Sequence, residues 1–259
     1  MMLKEIIKQK KIEIERFREK IPLPALVKKA SGSKRLRDFK AALVQTGRIN
    51  LIGEIKKASP SKGLLRGKFD PAAIAREYQE AGACALSVLT DEKFFQGNLR
   101  YLKLVRDAVN LPILRKDFII DRYQIYQSLL TGADALLLIA RILSAAELKE
   151  FYSLCNQLGL DALCEVRSQK DLDKALGCGC QIIGINNRDL ETFNEDLTLS
   201  SRLIKLIPKS MVIVSESAIR TKDDLRYLQQ LGLHAVLIGE AFMRSADIKA
   251  KVKQLFAQD

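Results

Sequence analysis

Histidine is almost missing: His234 is the single one in 259 residues. Histidine-based triads are thereby excluded, and acid–base work falls to Lys and Glu, whose pKa values burial and neighbours can tune. Long apolar runs are also lacking. The longest, Ala135 to Ala140, is strand-sized, far short of the roughly 20 residues of a membrane span, so no membrane partner is expected. The start, Met1-Met2-Leu3-Lys4-Glu5, has no signal-peptide apolar region. Cysteines number five, too few at this length for a disulfide framework, and one at least is unpaired. A reducing cytoplasm is the expected location. Cys178-Gly179-Cys180 has no second pair and no nearby His, so no metal is expected. Aromatics are only 6% and no nucleic-acid motif is present.

What is abundant is positive charge, +12 net. It is uneven. Residues 1–48 hold 14 Lys/Arg against 5 Asp/Glu, whereas residues 49–259 hold 29 against 26. A nucleic-acid binder and an enzyme for small anions both fit the total. The near-neutral remainder favours the enzyme, with no nucleic-acid partner.

From Leu51 onward, short apolar runs recur: Leu51–Ile55, Ala85–Leu89, Ile113–Leu114, Ala135–Ile139, Ala162–Val166, Ile182–Ile185, Met211–Val214 and Ala235–Ile238. Runs that barely alternate read as parallel strands buried on both faces. Amphipathic patterns separate them, with capping signals at Ser144/Glu147, Ser168/Asp171 and Thr221/Asp224 and glycines expected past helix ends at Gly82, Gly159, Gly177 and Gly232. Eight such units predict one α/β domain over 1–259, a (β/α)8 TIM barrel (49–259) behind a basic N-terminal helical extension (1–48). A doubly wound open sheet is the alternative; it would carry fewer strands and often a Gly-rich first turn, absent here. In the extension, Leu3–Arg18 reads as a helix broken by Pro22 and Pro24, and Lys34–Leu43 as a second one.

In such barrels the active site lies at the C-terminal strand ends. Those ends carry Glu54 and Lys56, Thr90 and Asp91, Lys116 and Asp117, Arg141, Glu165 and Arg167, Asn186 and Arg188, Glu216 and Ser217, and Gly239 and Glu240. Alternation lets Glu54, Lys56, Lys116, Glu165, Asn186 and Arg188 converge over the mouth. A lone Lys or Glu at a strand end is as readily a solvated side chain; carboxylates and lysines from four strands on one mouth favour a site. Ser217 and Gly239, in the last two loops, suit a phosphate. His234 falls at the opposite end and reads as structural.

The blocks Glu54-Ile55-Lys56-Lys57-Ala58-Ser59-Pro60-Ser61-Lys62-Gly63, Arg115-Lys116-Asp117-Phe118-Ile119, Gly184-Ile185-Asn186-Asn187-Arg188-Asp189-Leu190 and Ser215-Glu216-Ser217 resemble those of the indole-3-glycerol-phosphate synthases. The resemblance runs in order along nearly the whole chain. It implies decarboxylating, dehydrating ring closure of 1-(2-carboxyphenylamino)-1-deoxyribulose 5-phosphate to indole-3-glycerol phosphate, in tryptophan biosynthesis, without cofactor or metal. It implies Lys116 as general acid and Glu165 as the favoured base, with the division between Glu54 and Lys56 open. Asn186 and Arg188 would meet the substrate carboxylate, with Lys56 helping to hold anionic groups. Ser217 and the Gly239–Glu240 backbone would hold the phosphate, the Glu240 side chain turning away from it. Phe95, Pro60, Phe118, Leu137 and Leu190 would form the apolar wall, and Ser59 and Glu216 complete the substrate-binding set. Ser59–Gly67 is expected to act as a lid, and the basic extension to lie near the mouth and speed capture of the anion. A monomer is expected, with a weak dimer as the alternative; the length leaves no room for a second barrel.

Overall fold

The computed structural model describes residues 2–31, 36–45, 48–189 and 191–257. The strands are β1 (Asn50–Ile55), β2 (Ala58–Ser59), β3 (Gly63–Leu64), β4 (Ala85–Leu89), β5 (Ile113–Lys116), β6 (Ala135–Ile139), β7 (Asp161–Val166), β8 (Ile182–Asn186), β9 (Val212–Glu216) and β10 (Ala235–Ile238). Eight of them close a parallel barrel in the order β1, β10, β9, β8, β7, β6, β5, β4. β2 and β3 form a separate antiparallel ribbon in the loop after β1, the segment expected to act as a lid. Every apolar run read from the sequence is a barrel strand. β5, β8 and β9 extend past the apolar residues to take in Lys116, Asn186 and Glu216, because ladder hydrogen bonding continues wherever a neighbouring strand offers partners.

Side-chain alternation divides each strand. Ile52, Leu114, Leu137, Leu163, Val214 and Leu237 fill the barrel interior. Their neighbours, including Leu86, Val88, Leu136, Leu138, Ile183 and Ile213, pack outward beneath the helices. The inward series then turns polar at its upper end. Ile52 leads to Glu54 and Lys56, Leu114 to Lys116, Leu163 to Glu165, Val214 to Glu216 and Ile182 to Asn186. One geometric rule thus builds both the core and the floor of the mouth.

The three capping boxes at Ser144, Ser168 and Thr221 are all formed. Gly82, Gly159 and Gly232 follow their helices in the left-handed region, at φ +86°, +74° and +81°. Gly177 departs from expectation: it is the last helical residue, and Gly179 takes the left-handed position at φ +79°.

The extension comprises α1 (Met2–Lys20), α2 (Leu23–Ala30) and α3 (Phe39–Leu43). Two expectations are corrected. The prolines end α1 but also start α2, since Pro24 stands in its first turn, where the missing N–H has no partner to lose. The helix expected over Lys34–Leu43 is α3 alone among the described residues; 32–35 lie outside them. Asp38 caps α3 by accepting from Ala41 N. Just before it, Arg37 N donates to Asp134 Oδ1 at 2.7 Å, holding that stretch against the barrel instead of in a helix.

The extension reaches from one end of the barrel to the other. Ile6 of α1 packs in the interior cluster with Phe118 and Leu137. Phe39 and Leu43 of α3, both fully buried, join that cluster from the opposite end. There Lys40 N donates to Asp161 Oδ2 at 2.9 Å and Asn50 Nδ2 to the Leu43 carbonyl at 2.9 Å.

Candidate active site

The mouth at the C-terminal strand ends encloses a cavity of about 410 Å³. Glu54, Lys56, Ser59, Pro60, Phe95, Lys116, Phe118, Leu137, Glu165, Asn186, Arg188, Glu216, Ser217, Gly239 and Glu240, chosen from the sequence, all line it. Leu190 lies outside the described residues. Thr90, Asp91, Arg141 and Arg167 do not line the cavity. Thr90 Oγ1 donates to Asp117 Oδ2, and Arg141 and Arg167 pair with Asp189. Among the described residues no group of His, Cys, Asp and Glu is placed to hold a metal ion, and no helix is long and apolar enough to cross a membrane.

The floor is a chain of charges. Lys116 Nζ lies 3.0 Å from Glu165 Oε2 and 3.1 Å from Glu216 Oε2. Lys56 Nζ pairs with Glu54 Oε2. Burial would push Lys116 toward neutrality, but Glu165, Glu216 and Glu54 outweigh it and raise its pKa above the ordinary value. Burial likewise acts to raise Glu54, and Lys56 and Lys116 overcome it, leaving that carboxyl below its usual range. Glu216 has the opposite balance. Burial lifts it, Lys116 only partly offsets this, and Glu165 adds repulsion, so its pKa reaches about 7. Its Oε1 is buried without a hydrogen-bond partner. Glu216, read from sequence as a substrate contact, lines the cavity and is also part of the Lys116 cluster. Alternation with the inward Val214 already directs Glu216 to the mouth, and the register of β9 against β8 sets it opposite Asn186.

Two glycines make room for these carboxylates. A Cβ on Gly184 would collide with Glu216 Oε1, and one on Gly239 with Glu54 Oε2. Both side chains lie flat against bare backbone of the neighbouring strand, a fit that depends on the absent methyl groups.

The walls divide by chemistry. Phe95 and Phe118, with ring centroids 6.2 Å apart, and Leu137 give an apolar side. Arg188, Arg220, Arg244, Lys56 and Lys251 give a cationic one. Between them Asn186 Oδ1 accepts from Ser217 Oγ and Arg188 N, each at 3.0 Å. Ser217 and Ala218 both sit in the left-handed region, φ +65° and +61°. Gly239 caps the short helix Glu240–Met243.

The expected outward turn of Glu240 is corrected. Its carboxylate lies in the mouth wall, Oε2 2.7 Å from Arg188 Nη2. Burial acts to raise its pKa, but Arg188, Lys62 and Lys56 outweigh this and depress it. Arg188 is also held by Glu195, which in turn takes Arg220 at 2.6 Å. Glu195, Arg220, Arg244 and Lys251 were not read from the sequence, because they come from loops and helices beyond the strand ends. His234 stands at the far end, its Nδ1 accepting from Ile213 N at 3.1 Å. All five cysteines are free.

Among solved structures, the fold resembles 3-hexulose-6-phosphate synthase, with a TM-score of 0.64 and 13% identity over 81% of this chain and 99% of that one, and thiamine phosphate pyrophosphorylase from Pyrococcus furiosus, with a TM-score of 0.60 and 15% identity over 80% and 93%. Similarity in sequence is far closer to two proteins named indole-3-glycerol phosphate synthase. The one from Acetivibrio thermocellus is 48% identical over 99% of this chain and 100% of its own length. That from Thermoanaerobacter pseudethanolicus is 48% identical over 95% and 94%. The family model for indole-3-glycerol phosphate synthase matches residues 3–255, and the chain belongs to that family.

Proposed function

We propose that this chain, a carboxy-lyase of tryptophan biosynthesis by its family, closes the indole ring with Lys116 as general acid and Glu165 as general base. The observation that carries the reading is Lys116, half-buried and held cationic between Glu165 and Glu216 on the cavity floor. The substrate is 1-(2-carboxyphenylamino)-1-deoxyribulose 5-phosphate. Its ring carbon bearing the carboxylate attacks the ketone carbon, and Lys116 protonates the ketone oxygen as charge develops there. Carbon dioxide leaves and the ring regains its aromaticity. The new hydroxyl then leaves as water, taking a proton from an acid on the cavity floor, while Glu165 removes the substrate proton whose loss forms the double bond, giving indole-3-glycerol phosphate.

The two walls match the two halves of this molecule. Pro60, Phe95, Phe118 and Leu137 suit the anthranilate ring. Asn186 and Arg188 suit its carboxylate, which would exchange with Glu195 or Glu240 for the Arg188 fork. Ser217 and the backbone at Gly239 and Glu240 suit the phosphate, with Lys56 near both anions. Glu54 holds Lys56, and Glu216, its pKa pushed up to about 7, stands beside Lys116.

Supplying this substrate and following indole fluorescence tests the assignment; folded protein giving no product refutes it. Lys116→Ala is expected to lower kcat by orders of magnitude with little change in substrate affinity, and near-normal turnover would remove Lys116 from the acid role.

A further inference from the structure

Lys10 is a charged residue of the extension that is only 2% exposed. Its Nζ lies 2.7 Å from Glu13 Oε2, 2.9 Å from Asp91 Oδ2 and 3.0 Å from Asp117 Oδ1. Burial works against its charge, and the three carboxylates outweigh it. A buried ion pair is a weak source of stability, so such an arrangement calls for another reason.

The two aspartates stand at the ends of adjacent strands, and each holds one ring of the apolar wall. Asp91 follows β4, and its Oδ1 accepts from Phe94 N at 2.8 Å and Phe95 N at 3.3 Å. Asp117 follows β5, and its Oδ1 accepts from Phe118 N at 2.8 Å. Asp117 Oδ2 takes Arg115 Nη2 at 3.0 Å as well as the Thr90 hydroxyl. Asp117 is also the residue directly after Lys116. Without Lys10 between them, Arg115 would still pair with Asp117, but nothing would offset its repulsion of Asp91, and the segments after β4 and β5 would separate, carrying Phe95 and Phe118 with them and loosening the end of β5 at Lys116.

We infer that Lys10 is a positioning residue of the active site: by bridging Asp91 and Asp117 it fixes the spacing of Phe95 and Phe118 and the direction of Lys116. Helix α1 is then part of the catalytic apparatus through one buried ammonium. The inference rests on the proposed reaction, since the wall is defined by the ring it would hold.

The test is steady-state kinetics of full-length Lys10→Met and Lys10→Gln, with Ile14→Ala as the control. Ile14 is buried on α1 one turn further on and packs in the outer core, so its truncation loosens the helix without touching the aspartates. Each Lys10 variant is expected to raise KM about tenfold and lower kcat, whereas Ile14→Ala leaves both within twofold. Adding Asp91→Asn to Lys10→Met removes the repulsion while keeping the acceptor for Phe94 and Phe95, and should recover most of the KM change. If Lys10→Met does not fold, Lys10→Gln, which keeps a donor in similar volume, is read instead. Kinetics of the Lys10 variants within twofold of the unsubstituted enzyme, or matched by Ile14→Ala, overturn the inference. An unsubstituted enzyme inactive on this substrate would instead refute the proposed reaction.

Discussion

Glu216→Gln should make the protein more stable, and only above about pH 5. The carboxyl has a pKa of about 7 in the folded chain against an ordinary 4.5. Between those values the native state holds a proton that the unfolded chain has released. The stabilisation is therefore complete below pH 4.5 and is lost as pH rises through 7. A shift of this size corresponds to about 3 kcal/mol at 1.36 kcal/mol per unit. Gln matches the neutral form in shape and never ionises. The variant should equal the unsubstituted protein near pH 4, gain steadily between pH 5 and 7, and be ahead by about 3 kcal/mol at pH 8. Urea unfolding followed by far-UV circular dichroism at these pH values measures the difference; titrating groups remote from Glu216 cancel because both proteins carry them, and the difference belongs to Glu216 together with Lys116 and Glu165, to which it is coupled. Parallel stability curves, or a variant less stable at pH 8, would refute the assignment of a destabilised carboxylate at this position. The expected result is a site kept less stable than its fold allows.

Two further outcomes are expected. Ala218→Gly relieves a left-handed residue at φ +61° and should raise stability by about 1 kcal/mol, read as a higher urea midpoint with an unchanged slope. If the basic α1 at the mouth assists capture, kcat/KM should fall several-fold between 20 and 200 mM salt, roughly as a screened attraction does; a flat salt profile would leave that charge a solvated surface.

The barrel was readable from sequence because each strand is buried on both faces and so writes itself as an apolar run. The floor was readable for a related reason. A charged residue in register with inward apolar ones, as Lys116 is with Leu114, has only the mouth to face. Helix α2 was missed because Pro22 and Pro24 signal a stop and a start with the same residue type. The ribbon of β2 and β3 is two residues a side and has no period to detect. Arg188 shows the limit of local reading: its partners Glu195 and Glu240 lie 7 and 52 residues away, and neither spacing predicts contact. Lys10 was hidden among the other lysines of an amphipathic helix, where a charge ordinarily means solvent.

The span of the extension has a consequence for how the chain is made. Its polar anchors on the barrel wall are deferred: Arg37 awaits Asp134, Arg18 awaits Asp121 and Lys40 awaits Asp161, separations of 97, 103 and 121 residues. The extension, made before the barrel, is therefore among the last parts to find its place. Its apolar faces stay uncovered until β4 to β7 have been synthesised. The same lysines and arginines that attract anions would meanwhile keep one nascent extension away from another, so that its strong positive charge protects the chain before there is any barrel to serve.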